Sequence, residues 1–308
     1  MDEITLILQQ ITTGFMLGSI YVTVAVAFTL TIGILNFLNF TIPAIFMITG
    51  MVAWAAAEHG FPFPIEGGYS WPLAMCLGVL AAVIASLIVE RFTFRYLRIR
   101  HGDATEHAIP LVSSLGFLII FENLILIAFG SEAQTFPEKF KSDIYIGEII
   151  IGLPQLASLI ISLIIVAILT WVLKTTNVGR SLRAIAENPD TASLLGVEVQ
   201  KIVPLVFLFS GLLCGIAGVL FVVNYTEVGP FMGDQVGTKA IAAMVLGGLG
   251  SIWGAIAGGL FVGLLEALSI HFFGADTVDI AVWGVLLIFI IIKPRGLFGG
   301  SKVGKGKL

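Results

Sequence analysis

The chain of 308 residues is 57% hydrophobic and only 12% charged, with a mean hydropathy of +1.03 and a formal net charge of −4. Soluble domains run at about 45 to 50% apolar and about 25% charged, so this balance excludes a water-soluble globular protein and reads as a polytopic membrane protein in a lipid bilayer. The mild acidic charge gives no footing for nucleic acid, and Cys76 and Cys214, both inside apolar runs without a CxxC or metal spacing, read as small packing residues.

Crossing a hydrocarbon core of ~30 Å takes about 20 apolar residues in a helix. Runs that meet this ruler fall near residues 5–31, 42–57, 72–90, 109–130, 153–173, 204–224, 238–272 and 277–292. Met1-Asp2-Glu3 lacks the positive n-region of a cleavable signal, so the first run is expected to stay as a span. It gives way to Gly33-Ile34-Leu35-Asn36-Phe37-Leu38-Asn39-Phe40-Thr41-Ile42-Pro43. Proline removes a backbone donor and asparagine competes for backbone partners, so the helix is expected to break at 33–43.

Basic residues then set the sidedness. Arg91, Arg95, Arg98 and Arg100 occupy one connection, Lys174, Arg180, Arg183 and Lys201 another, and Lys293, Arg295, Lys302, Lys305 and Lys307 the tail, thirteen of the sixteen in the chain. Such an excess marks the cytoplasmic side. The opposite connections hold Lys139, Lys141 and Lys239 among acids such as Glu58, Glu132, Glu227 and Asp276, and are expected to face out.

Residues 174–203, KTTNVGRSLRAIAENPDTASLLGVEVQKIV, form a polar cytoplasmic loop with order written into it. Good helix formers follow Gly179, Asn188 and Pro189 cap and start a second short helix, Asp190 suits its dipole, and Gly196 suits a left-handed stop. Capping of this kind fits a surface gripped by a soluble partner, with a solvated helical connector as the alternative.

Parity bears on 238–272. The chain is outside near Glu227 and inside after Lys293, with one span at 277–292, so the segment must cross an even number of times. As a single helix its 35 residues would make a rod of about 52 Å, too long for one span. Gly247-Gly248-Leu249-Gly250-Ser251 is the place to break. Such a turn sits either within the bilayer, where protein or a water-filled cavity must satisfy its backbone, or as a hairpin at the cytoplasmic surface. The expectation is an all-α, single-domain transmembrane bundle over residues 1–308, with eight to nine crossings, the N-terminus outside, and broken helices near 33–43 and 247–251.

Polar groups inside apolar runs are costly in lipid and usually face the bundle interior. Asn36, Asn39, Thr41, Ser113, Ser114, Asn123 and Ser210, with the backbone of Gly247, Gly248 and Gly250, are candidate lining of a solute path. Apolar walls and a few dipoles suit a solute with an apolar side chain and a small polar head. The alternative reading of the same residues is hydrogen bonding between helices. Glu122, Asn224 and Glu266 complete the polar set, and Glu122 is the one mid-run carboxylate that an ion-coupled transporter would use. Small-xxx-small pairs at Gly14 and Gly18, Gly211 and Gly215, Gly254 and Gly258, and Gly259 and Gly263 indicate close helix packing, without saying whether within the chain or between subunits.

No HExxH, GxSxG or Cys/His metal constellation is present, so no catalytic residue, metal or cofactor is expected. Gly299 to Gly306, GGSKVGKG, follows a phosphate loop as far as Lys305 but carries Gly306 where Ser or Thr is needed, and residues 293–308 read as a basic tail.

GRSLRAIAENPDTASLLGV (Gly179 to Val197), KAIAAMVLGGLGSIWGAIAGGLFVGLLEAL (Lys239 to Leu268) and KPRGLFG (Lys293 to Gly299) resemble the permease subunit of branched-chain amino acid ABC importers, the LivH type. GSIYVTVAVAFTLTIGILNFLNF (Gly18 to Phe40) and SSLGFLIIFENL (Ser113 to Leu124) extend the likeness along nearly the whole chain. The resemblance implies a bacterial inner-membrane channel built with a second homologous permease, two cytoplasmic ABC ATPase subunits and a periplasmic substrate-binding protein. It also implies that Gly179, Arg180, Arg183, Ala184, Glu187, Asn188, Pro189, Leu195 and Gly196 belong to coupling helices that dock on an ATPase. The family commonly reads NFAHG where this chain has Asn39-Phe40-Thr41-Ile42-Pro43, and relatives with similar coupling loops handle urea or short amides.

Overall fold

The computed structural model describes residues 3–63, 68–95, 108–137, 143–146 and 149–298. Arg98, Arg100, Lys139, Lys141, Lys302, Lys305, Lys307 and the Gly299 to Gly306 stretch lie outside them.

Eleven α-helices follow in chain order among the described residues: α1 (Glu3–Leu35), α2 (Ile42–His59), α3 (Trp71–Val89, running on as a π-helical turn Glu90–Arg95), α4 (Ala108–Phe129), α5 (Leu153–Thr175), α6 (Asn177–Glu187), α7 (Pro189–Leu194), α8 (Val199–Tyr225), α9 (Met232–Gly247), α10 (Ile252–Phe273) and α11 (Val278–Ile292). Eight helical segments are long and apolar enough to cross a membrane. The ninth arm, α9, has 16 residues and therefore rises only about 24 Å, short of a full hydrocarbon core.

Helix α1 is apolar all round and almost wholly enclosed, packing against α10 along its length and touching α5, α8 and α9, as expected of a helix at the centre of a bundle. By contrast α4, α5 and α11 keep most of their apolar surface on the outside of the chain. The glycine pairs set the close approaches. A Cβ on Gly18 would lie 2.9 Å from the Gly259 carbonyl oxygen, and one on Gly263 would lie 2.3 Å from the Gly18 Cα. Gly211 and Gly215 fit against Ser86 and Val79 of α3 in the same way, and Gly258 against the Ala243 carbonyl. All of these small-residue contacts are within the chain.

Both interruptions exist, and they meet. Helix α1 stops at Asn36, whose φ of 57° is the left-handed stop that asparagine tolerates. A Cβ on Gly33 would lie 3.4 Å from Gly250 in the turn between α9 and α10, whereas Pro43, at the start of α2, abuts Gly233 and Gly237 near the other end of α9. Ten residues of α9 separate Gly237 from Gly247, about 15 Å of helix. The chain from Gly33 to Pro43 therefore climbs back along α9 before helix resumes.

The α9 to α10 turn is fastened from behind by the tail. Leu297 N donates to the Leu246 oxygen and Phe298 N to the Gly247 oxygen, each at 2.9 Å, which satisfies two carbonyls that the end of a helix leaves orphaned. The turn thus lies beside residues that follow the last span, with Leu249 and Gly250 exposed. Gly296 makes the strap fit, because its φ is 75° and a Cβ there would sit 2.5 Å from Gly248. Alanine at Gly296 is expected to lower stability by about 1–3 kcal/mol, read as an earlier thermal midpoint in detergent.

Two small sheets, absent from the sequence expectation, decorate the opposite end. Strand β1 (Gln134–Thr135) pairs antiparallel with β4 (Glu227–Val228), after Thr226 ends α8 in a left-handed turn. Strands β2 (Asp143–Ile146) and β3 (Ile149–Gly152) form a hairpin, and the Gln9 side chain bonds both the N–H and the carbonyl of Ile150 as a strand would.

Candidate functional site

Residues 176–196 fold as their sequence dictates. Thr176 caps α6 by accepting from Gly179 N at 3.1 Å, and α6 buries Gly179, Leu182 and Ile185 on one face. Gly179 is obligatory there, since a Cβ would lie 2.2 Å from the Leu173 oxygen at the end of α5. Asn188 ends α6 and caps α7, accepting from Asp190 N at 2.9 Å and Thr191 N at 3.0 Å, with Pro189 in the first turn. Gly196 has a φ of 88°.

The two arginines in this segment make local bonds, Arg183 to the Leu173 carbonyl and Arg180 to the Asn177 side chain. Ala184 is half-buried, and Glu187 is exposed. At the tip, Leu194 and Leu195 are 87% and 78% exposed, next to the polar Ser193 and Glu198. Two adjacent leucines in the open on a capped, otherwise polar segment form an apolar knob suited to a partner's groove.

Of the candidate path residues, three gather at the first interruption. The Asn39 Oδ1 accepts from the Thr41 hydroxyl at 2.6 Å and from Thr41 N at 3.1 Å, and Ser114 accepts from Phe40 N at 3.2 Å while donating to the Leu111 oxygen. All three side chains are buried, and the Asn39 amide nitrogen has no partner among the described residues. Asn36 lies exposed at the helix stop. Ser113 shares a hydrogen bond with Thr93 of the π-helical turn, which ties α4 to α3. Asn123 and Ser210 bond carbonyls of their own helices, those of Ile119 and Phe207. Gly247, Gly248 and Gly250 form the strapped turn at the inner end of α9, Gly248 and Gly250 both with positive φ.

Sequence reasoning missed a polar centre where α1, α9 and α10 meet. Lys239 Nζ donates to Glu266 Oε1 at 2.5 Å, and the Tyr21 hydroxyl donates to Glu266 Oε2 at 2.6 Å. Glu266 is 8% exposed and Tyr21 3% exposed, and the ammonium lies 5.8 Å from the centre of the Tyr21 ring. Each carboxylate oxygen thereby accepts one hydrogen bond. Removing one partner of such a pair leaves an uncompensated charge and costs ~3–5 kcal/mol. Lys239 does not stand in an outer connection as its sequence neighbourhood suggests; it is two turns inside α9. Gly233, Asp234, Gln235 and Gly237 dilute the hydropathy of this helix start, yet the two glycines are what admits Pro43.

The lysine opens onto a cavity of about 450 Å³. Its polar lining includes Glu227, Gln235 and Lys239, and its apolar wall includes Phe221, Tyr225 and Phe231. The Phe221 and Tyr225 rings stack with centroids 4.5 Å apart.

A family model described as the permease component of branched-chain amino acid transport systems matches residues 10–292. The chain is 31% identical to the high-affinity branched-chain amino acid transport system permease protein BraD of Pseudomonas aeruginosa, an alignment covering 99% of this chain and 100% of the relative. It is 30% identical to the permease protein LivH of Escherichia coli, covering 99% of each. A shorter match, 32% identical over 43% of this chain and 37% of the relative, is to the fructose import permease protein FrcC of Rhizobium meliloti. No solved structure matches.

Proposed function

Because the chain belongs to the family of permease components of branched-chain amino acid transport systems, we propose that it is a channel-forming subunit of an ATP-binding cassette importer in the bacterial inner membrane. Its solute is a branched-chain or related neutral amino acid. The permease performs no bond chemistry; ATP is hydrolysed by a separate cytoplasmic subunit, and a periplasmic binding protein and a second related permease complete the assembly.

The observation that carries this reading is the capped helix pair α6 and α7, ending in the exposed Leu194 and Leu195. ATP binding draws the ATPases together, and the docked pair transmits that displacement through α5 and α8 to the bundle, which switches between outward and inward access. Gly179 and Arg183 hold the pair on the end of α5, so the segment moves with the span rather than apart from it. Along the path, Asn39, Thr41 and Ser114 offer polar groups at the broken helix where an otherwise apolar route needs them.

Uptake of labelled L-leucine by cells is expected to require the ATPase. Replacing the phosphate-loop lysine of that ATPase should abolish it, whereas collapsing the proton gradient at constant ATP should not. Uptake that survives the ATPase lesion and disappears with the gradient would make the chain an ion-coupled carrier instead.

A further inference from the structure

We propose that the cavity over Lys239 receives the zwitterionic head of the transported amino acid, its carboxylate on the Lys239 ammonium and its ammonium on the Glu227 carboxylate. The proposal rests on the importer reading above. An ammonium carries three donors, and Glu266 takes one of those on Lys239. Glu266 also lines the cavity, and each of its oxygens already accepts one hydrogen bond, from Lys239 and from Tyr21. The lysine side chain is 15% exposed, and it is to the cavity that it is exposed. A buried ion pair kept for stability alone is a poor choice, since well-packed apolar side chains do as well or better. A cation held in place by a carboxylate, with donors to spare inside a hollow, is instead a fixed receptor for an anion.

Glu227, the exposed residue of strand β4, lies on the same cavity and supplies the opposite charge at the rim. The stacked Phe221 and Tyr225 rings give a branched aliphatic side chain a wall to rest on. A volume of about 450 Å³ suits a solute of this size. The same geometry discriminates against urea, amides and sugars, none of which carries a carboxylate.

The test uses the whole importer in proteoliposomes, this chain with its partner permease, ATPase and binding protein, measuring L-leucine transported per ATP hydrolysed. The neutral pair Lys239→Gln with Glu266→Gln is expected to lower that ratio at least about tenfold while ATPase stimulation by the loaded binding protein stays within about twofold of wild type. Lys239→Arg, which keeps the cation, is expected to retain more than about half of the ratio. Glu227→Gln at the exposed rim is expected to lower it about tenfold, and decides the matter if the double variant does not assemble. A double variant or Glu227→Gln with the wild-type ratio would overturn the site, showing that the pair serves packing alone. A wild-type complex that hydrolyses ATP without moving L-leucine would overturn the importer reading, and this site with it.

Discussion

Alanine at Gly263 is expected to destabilise the protein by about 3 kcal/mol or more, enough to deplete the folded form in the membrane. The new Cβ would lie 2.3 Å from the Gly18 Cα, 2.4 Å from Gly18 N and 2.5 Å from the Gly14 oxygen. All three are backbone atoms of α1, so no rotamer change relieves the overlap. Helix α1 is held on its other sides by α5, α8 and α9, so it cannot retreat without opening the centre of the bundle. The contact has no hydrophobic substitute, because lipid tails are as apolar as the side chains they would replace; close packing itself holds these helices together. Gly284→Ala is the matched comparison: a Cβ there meets nothing within 4 Å, and the helical preference of alanine over glycine should leave stability unchanged or raised. Thermal unfolding of both variants in detergent checks the pair of outcomes, and equal midpoints would refute the packing argument.

That contrast shows where a sequence is legible. Gly263 and Gly284 are both glycines in apolar helices, and only the small-xxx-small spacing with Gly259 marks the first. Local chemistry was readable for the same reason wherever it was local. Asn188 with Pro189 caps a helix within three residues of itself, and Gly33 to Pro43 breaks one by its own backbone demands. What escaped was long-range and charged. Tyr21 and Glu266 are 245 residues apart, and their hydrogen bond depends on α1 lying against α10. Lys239 looked like an outer-loop residue because polar and small residues precede it, although they lie within α9. The tail motif KPRGLFG identifies a family but says nothing of its task, since Leu297 and Phe298 act by donating backbone N–H groups to a turn 50 residues earlier. The departure at Thr41-Ile42-Pro43 likewise acquires a physical meaning in the fold, as Pro43 occupies the space that Gly233 and Gly237 leave.

Aspartate at both Leu194 and Leu195 is expected to uncouple the importer while leaving the permease folded. Burying a leucine is worth ~1.5–3 kcal/mol, so losing two from a docking surface, with charge put in their place, weakens association with the ATPase by roughly a hundredfold or more. The permease itself loses nothing, because the two side chains are 87% and 78% exposed and make no core contact. The helix that presents them keeps its Asn188 cap, its buried Ala192 and its left-handed Gly196. Uptake of L-leucine and recovery of the ATPase with the tagged permease should both fall, and the thermal midpoint of the isolated permease should not. The exposed arginines nearby are poorer targets for such a test, since Arg180 and Arg183 are engaged with Asn177 and Leu173, and their removal would alter the helix pair as well as any contact it makes. Full ATPase recovery and full uptake with both leucines charged would move the docking surface elsewhere on the cytoplasmic face, and with it the route by which ATP hydrolysis reaches the bundle.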